Sequence, residues 1–127
     1  MIFFRLLIPL IVCLFSLIES VFAVATLQKL IDEAPPHHEI IIPPGVYSGN
    51  LTITKPVTLD GQGKVTINGM GKGTIITLLG DGVSIRNLKL VNSGGSHDRV
   101  DAGIHVRSSN NKIINNVISD ALFGIDF

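Results

Sequence analysis

Ala102-Gly103-Ile104-His105-Val106 returns 21 residues later as Phe123-Gly124-Ile125-Asp126-Phe127. Each phrase is a small or aromatic residue, then Gly, Ile, a polar residue and an apolar one. A second pair, Ile85-x-Asn87-Leu88 and Ile114-x-Asn116-Val117, repeats at 29, and the excess is close to the length of a polar insertion, Ser93 to Val100. A period near 21, built from short β-branched runs with Gly, Asn, Asp and Pro between them, is the pattern of a parallel β-helix. At about 3.3 Å per residue such a coil is a closed path of roughly 70 Å, and each coil rests on the last at about 4.8 Å. Residue i then sits on residue i+21. Ile, Leu and Val pile up inside, and Asn side chains at corners pair their amides up the stack. Asn also tolerates the left-handed backbone that a sharp corner requires. Asp60-Gly61, Asn68-Gly69 and Asp81-Gly82 taken alone would mark hairpins of an antiparallel sandwich, but the repeat argues against that arrangement.

The expected class is therefore all-β: a right-handed parallel β-helix of about 21-residue coils over residues 37–127, four or five coils in all. No coil can bury its own apolar face, so neighbours and a cap are obligatory. Residues 24–36 supply the cap. Within them Thr26 to Ala34 carries Leu27, Leu30, Ile31 and Ala34 at helical spacing, with Thr26 as N-cap and Pro35-Pro36 as the stop. Nothing comparable follows Phe127, so the expectation is an N-terminal piece of a longer β-helix, its last rung left open.

Residues 1–23 read as a cleavable export signal. Arg5 precedes an apolar run from Leu6 to Leu17, Glu19 and Ser20 break it, and Val21-Phe22-Ala23 offers a cleavage site. The run of about 12 is short against the roughly 20 residues of a spanning helix. Cys13 is the one cysteine, so the mature chain has neither a disulfide nor a thiolate metal site. Ten basic residues balance ten acidic ones, and there is no Trp. That excludes the basic stripe with aromatic platforms that a nucleic-acid surface needs.

Pro43-Pro44-Gly45-Val46-Tyr47-Ser48-Gly49-Asn50-Leu51-Thr52-Ile53, followed by Lys55-Pro56-Val57-Thr58-Leu59-Asp60-Gly61, resembles the opening of the NosD family, as do the rungs at Asp101–Val106 and Ala121–Phe127. The resemblance covers essentially the whole mature chain, although family members are several times longer. It implies a non-enzymatic, periplasmic accessory protein that helps mature nitrous oxide reductase. Such proteins act beside an ABC-type membrane transporter during assembly of the reductase's copper–sulfur centre. Copper is a family label, and it fixes no residue here. The competing expectation is a carbohydrate-binding or sugar-hydrolysing β-helix.

Candidate chemistry centres on the insertion. It carries His97, followed by Asp101, and strand alternation sends Ile104 and Val106 inward, leaving Asp101, Gly103, His105 and Arg107 outside. Stacking by 21 then sets Asp126 over His105. His97, Asp101, His105 and Asp126 together offer nitrogen and oxygen donors suited to Cu(II) or Zn. The blander alternative is an exposed His–Asp pair under a solvated loop. His37 and His38 point opposite ways on an extended connector, and Met70 stands among glycines as a turn residue. Asp60 and Asp81, again 21 apart, invite comparison with a glycosidase carboxylate pair, but each precedes Gly in a turn signal.

Overall fold

The computed structural model describes residues 23–127. The export signal expected over residues 1–23, with Cys13, lies outside the described residues apart from Ala23. The described residues open with helix α1, Ala23–Glu33. It starts earlier than Thr26, so Thr26 lies inside the helix instead of capping it. Of the apolar stripe, Leu27, Ile31 and Ala34 are buried on the first coil, whereas Leu30 is exposed. The buried line at i, i+4, i+7 is a narrow stripe lying against the first coil.

Ten strands follow: β1 Glu39–Ile41, β2 Gly45–Ser48, β3 Leu51–Ile53, β4 Thr58–Asn68 and β5 Ile76–Leu78, then β6 Ser84–Val91, β7 Ala102–Val106, β8 Lys112–Ile114, β9 Val117–Ser119 and β10 Phe123–Asp126. They form two sheets. One runs β1-β4-β6-β8, with β2 beside β4 and β9 beside β6; the other runs β3-β5-β7-β10. Every pair is parallel. The chain is a β-solenoid, with Ile40, Leu59 and Ile85 piled in one column and Ile53, Leu78 and Val106 in another, all buried.

Register confirms the opening repeat and corrects the period. Ile104 lies beside Ile125 and Ala102 beside Phe123. Elsewhere the step differs: Ile40 pairs with Leu59, Leu51 with Ile76, Leu59 with Ile85, and Ile76 with Ile104. Ile85 rests against Ile113, not Ile114, so the second phrase repeats one residue sooner than read. The coils lengthen at their corners, where extra residues bulge out without disturbing the stacked strands. Longer coils consume the chain faster, which leaves about three turns instead of four or five. Asp60 consequently faces Arg86, not Asp81. The Asp81 carboxylate instead accepts the Ser109 N–H at 2.8 Å.

The corners follow the expected chemistry. Asn87, Asn92, Asn110 and Asn115 all take positive φ, between 56° and 60°, the left-handed region that Asn tolerates best after Gly. Asn115 Nδ2 donates to Asn87 Oδ1 at 2.7 Å, and Asn87 Nδ2 donates to Asp60 Oδ1 at 2.9 Å. One amide ladder thus climbs three coils. Asn116 works differently: its Oδ1 accepts the Leu88 N–H at 3.0 Å while its Nδ2 donates to the Ile85 carbonyl at 2.9 Å. A side-chain amide there replaces the peptide that the bend takes out of register.

The cap uses the same device. Gln28 Nε2 donates to the Thr52 carbonyl at 2.8 Å, and the Thr52 N–H donates to Gln28 Oε1 at 3.0 Å. One side chain therefore makes the pair of bonds that a neighbouring strand would make with β3. Lys55 Nζ donates to the carbonyls of Asp32 and Ala34. A cation from the first coil thereby meets the negative end of α1, whose own last turn has no basic residue.

Candidate functional site

The insertion at 93–100 folds back on the solenoid and is pinned by a buried carboxylate. Asp101 Oδ2 accepts the Ser96 N–H at 2.9 Å and lies 3.7 Å from the Arg99 guanidinium. The Gly94 N–H donates to the Gly73 carbonyl at 2.8 Å. A Cβ at Gly94 would fall 2.1 Å from Asp101 Oδ2, so only glycine lets the loop lie this close. Val100 takes φ of 56°, a conformation that costs a β-branched residue on the order of 1–3 kcal/mol and is kept only where its surroundings enforce it. Asp101 on one side, and a bond from the Val100 N–H to the His97 carbonyl at 3.2 Å, do that here.

The four expected ligands therefore divide. His105 and Asp126 come together on neighbouring strands, as stacking requires. Asp101 is neither external nor free: it is almost wholly buried and committed to its loop. His97 is exposed, its ring edge-on to Phe123 with centroids 6.1 Å apart. The expectation that Asp101, Gly103 and His105 share an outer face fails at Gly103, within strand β7. A Cβ built there would lie 2.6 Å from Ile118 Cγ2 and 2.8 Å from the Gly124 carbonyl, so this position points inward. His105 does face away from Ile104, yet only 9% of it is exposed.

His105 Nε2 lies 2.9 Å from Asp126 Oδ2. That oxygen sits off the direction of a ring N–H, so no well-formed hydrogen bond results, and Nε2 is sealed from solvent without a partner. The pair offers one nitrogen and one carboxylate donor. Among the described residues no group of three or more His, Cys, Asp or Glu is placed to hold a metal ion. Two donors fall short of the three or four that a protein supplies to a bound transition metal. His37 and His38 are exposed at the connector, and Met70 is exposed in its turn at φ of 58°.

Sequence reasoning missed a second polar cluster, on the outer face of the β1-β4-β6 sheet. The Arg86 guanidinium reaches Asp60 at 3.0 Å and also contacts the Glu39 carboxylate. Asp60 further accepts the Asn87 amide and the Gln62 N–H at 2.8 Å. These donors, the Asn87 amide foremost, hold the Asp60 carboxyl below the usual carboxylate range against the upward push of burial. Glu39, Asp60 and Arg86 come from three successive coils, so the cluster is a clamp along the solenoid. Coil steps of 19 and 26 residues, in place of 21, hid it. Asp60, bound on all sides, is not an available general acid or base.

No protein-family model matches the chain, and no solved structure does. Over 83 residues the chain is 31% identical to the probable ABC transporter binding protein NosD of Pseudomonas aeruginosa. The alignment takes in 64% of this chain and 19% of that protein, so this chain spans about a fifth of its relative's length.

Proposed function

We propose that the chain is an exported accessory protein related to nitrous oxide reductase maturation, a binding scaffold and not a catalyst. The supporting observation is the joint one: a capped parallel β-solenoid whose sequence is similar to NosD. A solenoid of this kind presents rigid strand faces, stiffened by the amide ladders, on which a partner protein can dock without the scaffold changing shape. An ABC-type transporter at the membrane is the first such partner, in keeping with the relative's name; the reductase is the second. Export would place the protein in the periplasm with both.

Deletion of the gene in its host tests the reading. Cells grown on nitrous oxide should lose its reduction and recover it on complementation, while reductase polypeptide is still made. Unchanged nitrous oxide reduction in the deletion strain would overturn the proposal. Saturable binding of oligosaccharides by the purified protein would favour a carbohydrate-acting solenoid instead.

A further inference from the structure

The outer face of the β1-β4-β6-β8 sheet has an order of its own. Side chains that alternate outward form two columns running up the solenoid. One reads Glu39, Thr58, Ser84, Lys112; the other reads Ile41, Asp60, Arg86, Ile114. Read from top to bottom, each column is the complement of itself. Glu39 at one end answers Lys112 at the other, Thr58 answers Ser84, Asp60 answers Arg86, and Ile41 answers Ile114. Ile41 and Ile114, at the two ends of the second column, are each about half exposed.

We propose that this face binds a second copy of the same chain across a two-fold axis parallel to the strands. That axis passes between β4 and β6 and inverts the order of the coils in the partner. Glu39 then meets the partner's Lys112 twice, Ile41 packs on Ile114 twice, and Asp60 and Arg86 form a four-charge cluster with their counterparts. An isologous contact demands this self-complementarity. An axis along the solenoid at the second column would set Arg86 against Arg86 and Asp60 against Asp60. Eight outward residues per copy are fewer than the 20–30 of a standard interface, so the dimer is a weak one whose affinity falls with added salt.

Sedimentation of the purified protein over a concentration series tests the contact. The expected result is a monomer–dimer equilibrium weakened about tenfold by Lys112→Glu, because one substitution spoils two symmetric contacts. Glu39→Lys weakens it likewise, and the double swap Glu39→Lys/Lys112→Glu restores it. Ile114→Lys disrupts association with the Glu39–Lys112 pair intact. Thermal melts of each variant separate lost association from lost folding, since Glu39 also serves Arg86. A monomer at every concentration overturns the proposal. So does association that Lys112→Glu leaves unchanged while Ile125→Lys abolishes it, which would move the contact to the last rung.

Discussion

Asn87 does three things at once, and each can be taken away separately. It holds a left-handed backbone, donates to Asp60 and accepts from Asn115. Asn87→Ala should cost about 3 kcal/mol in chemical denaturation, from two hydrogen bonds and the left-handed strain together. Asn87→Gly, free of the strain, should cost about 1 kcal/mol less. Equal losses in the two variants would mean that backbone conformation contributes nothing at this corner. Gly103→Ala should destabilise by about 1–3 kcal/mol through overpacking, because the Gly124 carbonyl is backbone and cannot swing aside; an unchanged melting temperature would contradict the close approach. Asp60 sets a pH dependence. Its folded carboxyl titrates below the ordinary 3.8, so its contribution is complete above the unfolded value and is lost as pH falls through the folded one. Denaturation midpoints should fall from about pH 5 downward, and Asp60→Asn should flatten that fall while lowering the plateau near neutrality.

At the level of elements, α1 substitutes for a missing strand. Gln28 carries both bonds to Thr52, so Gln28→Glu, which cannot donate to the Thr52 carbonyl, should cost about 1–2 kcal/mol. Hydrogen exchange at the Thr52 amide should accelerate even in Gln28→Ala, with strands β6 and β7 unaffected; exchange unchanged at Thr52 would sink the strand-mimic reading. Much of the element order was legible because β-branched runs and turn residues alternate so plainly. The pairing of His105 with Asp126 was legible too, since register carries a side chain's neighbour with it. What stayed hidden lies where alternation breaks or a loop returns. At Gly103 a side chain would meet Ile118 and the Gly124 carbonyl, and Asp101 vanishes into a loop whose return depends on Gly94. The Glu39–Asp60–Arg86 clamp was invisible because corner bulges alter coil length without leaving a periodic trace.

For the whole molecule, the repeat was readable wherever two strands share one environment and unreadable wherever coils differ in length. Similar side chains recur because each rung is the floor of the next, and only the corners vary the distance along the chain. The β-solenoid also gives the proposed scaffold its rigid outer faces. One spectrum decides whether that picture holds. In a parallel stack, contacts between neighbouring strands keep a constant sequence difference; in antiparallel hairpins they keep a constant sum. Nuclear Overhauser effects in the isotope-labelled protein should join Ala102 to Phe123, Ile104 to Ile125 and Ile76 to Ile104. Cross-peaks that instead link Ala102 with Ile125 and Ile104 with Phe123 would contradict the account outright.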